Sequence, residues 1–198
     1  MDQVRREARR ELEDRYEIRL AGEGGQGMIL AGVILAEAAV HDGLNAVQTQ
    51  DYGPEARGGA SQSEVIIAHG AIDYPKLMAP DLLLCMSQEA CDKFFEDVSD
   101  DACIVVDSST VSRIPSHRAI TVPISQIAEE VTGRRITASI VALGLIVGLT
   151  DVVSHEALEK AVSERVPAGT EEMNLKAVEA GLAEAERLRN GVVDLGCV

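Results

Sequence analysis

Six residues constrain this chain more than any other feature. Gly22-Glu-Gly-Gly-Gln-Gly27 sits between an alternating run, Tyr16-Glu-Ile-Arg-Leu-Ala, and Met28–His41, a helical run rich in Ala, Leu and Ile. Alternation marks a strand, and a strand that turns into a helix this quickly needs backbone freedom. Gly22 permits the tight turn, Gly24 lets the backbone approach a ligand, and Gly27 lets helix and sheet pack closely. The N–H groups at the start of the helix have no partner within it and favour an anion. Two readings stay open: a phosphate- or nucleotide-contacting loop, or a tight turn that packs against another chain. Asp51, 27 residues beyond Gly24, lies near the spacing of a ribose-binding acid. That keeps a free-standing NAD(P)- or nucleotide-binding Rossmann-like oxidoreductase as the alternative. Against it stand Glu23 inside the turn and the scarcity of basic neighbours besides Arg19 and Arg57.

The rest of the chain repeats the strand-then-helix alternation. Strands are expected at 45–50, 61–69, 81–87, 103–107 and 119–123, and helices at 88–98, 124–132, 136–149, 154–165 and 171–189. Strands concentrated before about residue 123 and helices after it predict an α/β single domain. Its mostly parallel, Rossmann-like sheet would be flanked by helices, with a helical C-terminal third. A length of 198 residues suits one domain, and 46% hydrophobic with 26% charged residues suits a packed one. Residues 1–15 carry five arginines and five acids and almost no apolar stripe, so they read as a charged helical extension. The domain proper is then 16–198. The leader lacks the apolar stretch of a secretory signal, and a cytoplasmic location is expected. With 33 acidic against 18 basic residues the net charge is −15, which disfavours nucleic acid and anionic membrane as partners.

The apolar helix at 136–149 carries Ala142, Gly144 and Gly148, so either a central helix or one buried against a partner fits. The four cysteines, Cys85, Cys91, Cys103 and Cys197, show no regular spacing and read as small hydrophobes. No metal site is expected. The four histidines are scattered and no nucleophile–base pair is evident, so no catalytic residue is assigned.

A second motif is Asp51-Tyr-Gly-Pro-Glu-Ala-Arg-Gly-Gly-Ala-Ser61. Gly53-Pro54 and Gly58-Gly59 break both periodicities, so 51–60 is expected to be irregular. Arg57 has the planar fork that suits a carboxylate or phosphate. Pairing with Glu55 or another acid of the chain is the structural alternative.

Taken together, Gly22-Glu-Gly-Gly-Gln-Gly-Met28, Ala31-Gly-Val-Ile-Leu-Ala-Glu-Ala-Ala39 and Tyr52-Gly-Pro-Glu-Ala-Arg-Gly-Gly-Ala-Ser61 resemble one family. It is the gamma subunit, or gamma domain, of the 2-oxoacid:ferredoxin oxidoreductases. The likeness continues through Asn174-Leu-Lys-Ala-Val-Glu-Ala-Gly181 and is nearest to the 2-oxoglutarate branch. The resemblance implies a non-catalytic subunit of an enzyme that oxidatively decarboxylates a 2-oxoacid to an acyl-CoA and reduces ferredoxin. It implies alpha and beta partners holding thiamine diphosphate and Mg2+, and a ferredoxin-like partner holding iron–sulfur clusters, with no cofactor on this chain alone. Gly22, Gly24, Gly25, Gln26, Gly27, Tyr52, Arg57, Gly58, Gly59 and Ser61 are the residues that would meet coenzyme A or a partner chain. Two departures are the charged leader and Gly133-Arg-Arg-Ile-Thr-Ala-Ser139, where the family often has Asn near position 137.

Overall fold

Strand β1 (Arg15–Glu23) sends Ile18 and Leu20 to one side and Glu17, Arg19 and Ala21 to the other. Both sides are buried, because β1 lies inside a six-stranded sheet of order β2-β3-β1-β4-β5-β6. The computed structural model describes residues 15–52, 60–99, 101–114 and 119–191. The helical extension expected at 1–15 lies outside these except for Arg15, which already stands in β1.

Strands β4 (Leu82–Cys85), β5 (Cys103–Asp107) and β6 (Ile120–Val122) run parallel to β1, with Leu20 opposite Leu84 and Leu84 opposite Val105. They are short apolar runs, as parallel strands covered on both faces must be. Strands β2 (Asn45–Tyr52) and β3 (Ala60–Ala68) add an antiparallel pair on the other side of β1. Asp51, Tyr52 and Ala60 stand in these strands, which corrects the expected irregular stretch 51–60 at both ends, and 53–59 lie outside the described residues. Asp51 and Tyr52 still pair with Gln62 and Ser61, and the breaking glycines and proline all fall between the two strands.

Among the described residues six helices follow from the same alternation: α1 (Met28–His41), α2 (Gln88–Phe94), α3 (Ile124–Thr132), α4 (Ala138–Thr150), α5 (His155–Arg165) and α6 (Glu171–Gly191). A 3-10 turn, Arg135–Thr137, leads into α4. Their distribution is lopsided. Ile18, Leu20, Leu82, Leu84 and Val105 form one core with α1, α3, α4, α5 and α6, whereas Ala21, Leu83, Cys85, Ile104 and Val106 cluster with α2 and Val111 and, among the described residues, with no other helix. The chain thus leaves β1 toward one face and β4 toward the other. Such a reversal opens a crevice at the carboxyl ends of the two strands.

The alternatives for the apolar helix resolve toward the core. Residues 138–149 are all buried within the chain. A Cβ on Gly144 would overlap the Val178 carbonyl oxygen, and one on Gly181 would overlap that of Val141. The small residues of α4 therefore serve its contact with α6. Cys85 and Cys91 are buried free thiols, whereas Cys103 is disulfide-bonded, which corrects its reading as a small hydrophobe alone. No helix of the described residues is long and apolar enough to cross a membrane.

Candidate functional site

The Gln26 side chain sets the shape of the glycine turn. Its Oε1 accepts from the Glu23 N–H at 2.7 Å and its Nε2 donates to the Met86 carbonyl at 2.9 Å, tying the loop after β1 to the residue after β4. Gly22 is required by that clamp, since a Cβ there would lie 2.5 Å from Gln26 Oε1 and 3.2 Å from Met86 Cβ. Gly25 and Gly27 have φ of 95° and 80°, backbone that disfavours any side chain. A Cβ on Gly24 would meet nothing within 4 Å, so its backbone faces open space.

One glycine role differs from expectation. Gly27 lies against Ser139 at the start of α4, not against the sheet. The close approach of helix to sheet occurs at Gly32, where a Cβ would overlap the Ser63 hydroxyl. Position within the helix, invisible in a turn pattern, decides which glycine does this.

Sheet register brings the two motifs together. Tyr52 pairs with Ser61, and Ser61 with Gly22, in one row across three strands. The Ser61 hydroxyl, buried, donates to the Gly22 carbonyl at 3.4 Å. The end of β2 at Tyr52 and the start of β3 at Ala60 therefore lie beside the glycine turn. Arg57, Gly58 and Gly59 fall outside the described residues, as does the Tyr52 side chain.

Two residues considered for a nucleotide are placed elsewhere. Arg19 is 7% exposed and engaged by Glu64 at 3.0 Å and Asp97 at 2.5 Å, with its guanidinium over the Phe94 ring. Asp51 is on β2, and β3 lies between β2 and β1. A ribose-binding acid belongs on the strand beside the glycine turn, so this sheet order removes Asp51 from that role.

The crevice itself has a volume of about 310 Å³ and is lined by Gly25, Gln26, Met86, Thr110, Ser125, Arg135, Ile136 and Ala138. Behind it lies Asp107, at the end of β5 and fully buried. Its carboxylate accepts from the Ser109 N–H at 2.9 Å, the Ser125 N–H at 3.2 Å and the Ser125 hydroxyl at 2.5 Å. The Thr110 hydroxyl donates to the Met86 carbonyl at 2.8 Å. Sequence reasoning passes over Thr110, Ser125 and Arg135. The available signal is the acid closing an apolar strand, Cys103-Ile-Val-Val-Asp107, because ligands of such sheets bind beyond the strand ends.

The sequence profile of the pyruvate ferredoxin/flavodoxin oxidoreductase family matches residues 17–184. The chain belongs to this family. It is 48% identical over 185 residues to the 2-oxoglutarate synthase subunit KorC of Methanocaldococcus jannaschii, covering 91% of this chain and 99% of that one. A solved keto/oxoacid ferredoxin oxidoreductase gamma subunit from Geobacter sulfurreducens is 50% identical, with a TM-score of 0.80 over 87% of this chain and 97% of that one. The fold recurs, at 24% identity and a TM-score of 0.80, as 32% of a chain of the 2-oxoglutarate:ferredoxin oxidoreductase from Magnetococcus marinus, over 88% of this chain. Iron–sulfur clusters and thiamine diphosphate with Mg2+, implied by the family, do not fit the described residues of this chain. Cys85, at the end of β4, and Cys91, on the inner face of α2, are buried, and no group of three or more His, Cys, Asp or Glu among the described residues could hold a metal ion.

Proposed function

We propose that this chain is the non-catalytic gamma-type subunit of a thiamine diphosphate- and iron–sulfur-dependent 2-oxoacid:ferredoxin oxidoreductase. The oxo acid is 2-oxoglutarate, which the complex decarboxylates and joins to coenzyme A while ferredoxin takes the electrons. The observation that carries this reading is the nearly end-to-end match to a 2-oxoglutarate synthase subunit. The geometry fits a supporting role: a glycine turn clamped by Gln26 onto Met86, beside a crevice at the strand ends. Alpha and beta subunits with thiamine diphosphate and a ferredoxin-like subunit are its partners. The turn, together with Tyr52, Arg57, Gly58, Gly59 and Ser61, faces those chains and the approach of coenzyme A.

The test is an anaerobic pull-down of the tagged full chain from its native cells. The eluate is assayed for 2-oxoglutarate- and coenzyme A-dependent reduction of a viologen dye. Thiamine-binding and iron–sulfur chains with that activity are expected, and a lone chain refutes the reading. In the same complex Arg57→Ala lowers assembly or acyl-CoA formation, and unchanged turnover removes Arg57 from this role.

A further inference from the structure

The sheet has two edges, and they are built differently. Strand β6 at one edge has only three residues, Ile120–Val122, too short to offer another chain much to pair with. Strand β2 at the other edge has eight, Asn45–Tyr52, paired to β3 without a bulge from Asn45 opposite Ala68 to Tyr52 opposite Ser61. It contains no proline, lysine or arginine, the residues that commonly close an edge. Among the described residues β2 pairs with no second strand, and beyond the β3 ladder only the Gln48 side chain reaches its backbone, donating to the Thr49 carbonyl at 3.0 Å. Alternate residues of β2 therefore turn their N–H and C=O groups outward, unpaired within the sheet.

Helix α1 adds an apolar row beside this edge. Ile29, Val33, Ala36 and Val40, spaced four, three and four, follow one another along one side of the helix. None is fully buried, Val40 is 60% exposed, and Ile29, Val33 and Val40 belong to neither apolar core. At about 100° per residue the row adjoins the side of α1 that carries Gly32, where a Cβ would lie 3.4 Å from Gln48 Cγ of β2. Between Met28 and Tyr52 the chain carries three acids, Glu37, Asp42 and Asp51, and no lysine or arginine. Arg165 holds Glu37, and the Ser154 N–H and hydroxyl hold Asp42. Asp51, exposed near the end of β2, has no hydrogen bond or ion pair with a described residue.

We infer that the β2 edge and the apolar row of α1 form one docking surface for an extended segment of a partner chain. That segment adds a strand beside β2, apolar toward α1 and with a lysine or arginine opposite Asp51. The inference rests on the proposed function, which supplies the partner chains. A strand answers both features at once: its backbone pairs with the outward N–H and C=O groups, and its alternate side chains cover the apolar row. A helix laid on α1 would leave the edge unpaired. The net charge of −15 opposes a second copy of the chain at this edge and favours a basic residue at Asp51.

The experiment compares amide hydrogen exchange in the purified complex with that in the full chain alone. The outward amides of 45–50 should exchange at least about tenfold more slowly in the complex, as newly paired strand amides do. Val33→Lys with Val40→Lys keeps good helix formers on an uncovered side of α1, so the urea midpoint of the chain alone should stay unchanged. The same pair raises the chain concentration needed to half-assemble the complex about tenfold or more, because each ammonium would be buried under the added strand. Should the double variant lower that midpoint, Val40→Lys alone, at the most exposed position of the row, gives the reading. Equal exchange at 45–50 in complex and free chain overturns the inference and leaves the proposed function standing. Normal assembly of the lysine variants overturns it too, since the occupant then does not cover α1. Protection at 45–50 in the chain alone, with a doubled mass, overturns it in favour of a second copy. Absence of thiamine-binding and iron–sulfur chains from the purified unaltered protein overturns the proposed function itself.

Discussion

Gly22 and Gly24 stand two residues apart and answer to different forces. A methyl group on Gly22 would press on Gln26 Oε1 and Met86 Cβ, so Gly22→Ala must open the clamp or move the backbone. The expected cost is about 1–3 kcal/mol, that of overpacking a tight site, read as a lower urea midpoint. Gly24→Ala meets open space and should leave the midpoint unchanged while lowering affinity for whatever approaches that backbone. Asp81 offers a different test. Burial, reinforced by the nearby Glu17, holds its carboxyl above the usual range, although the Glu17 N–H bonds to it at 2.8 Å. A carboxyl raised on folding stabilises the fold below its unfolded value near pH 4 and loses that contribution as pH rises through the folded value. Asp81→Asn, which cannot ionise, should therefore be more stable than the native chain at pH 7, with the gap closing toward pH 4. Thermal unfolding at the two pH values checks the sign, and a gap that widens in acid refutes it.

Among elements, α4 and α6 make the least forgiving contact. Gly144 and Gly181 let the helices approach until backbone meets backbone, and Gly181→Ala would drive a methyl group into the Val141 carbonyl. Separation of the helices should cost about 2–3 kcal/mol or more, measured by urea denaturation. The helices themselves are legible because glycines and caps end them at marked places: α1, α3 and α5 begin and stop within a residue of their apolar pattern. The pattern carries α2 too far, to residue 98, since nothing in Gln88–Phe94 announces its end. The Asp97 carbonyl accepts from Arg19 across the sheet, a long-range bond that no local pattern contains. Strand positions are legible for the same local reasons, yet the insertion of β3 between β1 and β2 is not. Alternation tells a strand which face to bury and not which neighbour to choose. The candidate site shares this limit: the glycine turn is contiguous and readable, whereas Thr110, Ser125 and Arg135 meet only after folding.

At the scale of the molecule, the lopsided layering explains how one small domain offers both a rigid platform and an open mouth. Five helices on one face supply the main core, and the sparsely covered face lets the chain reverse at β1 and β4, where the crevice forms. The residues of the main core are buried by other parts of the same chain. The full chain produced alone should unfold in urea with a midpoint independent of protein concentration, and a midpoint that rises with concentration would show that the fold depends on association. The interlocking of α4 with α6 then acquires a meaning in time. A polypeptide whose greasiest segment is walled in by another of its own helices hides that segment without help from a second chain. Its partners need only recognise a finished object.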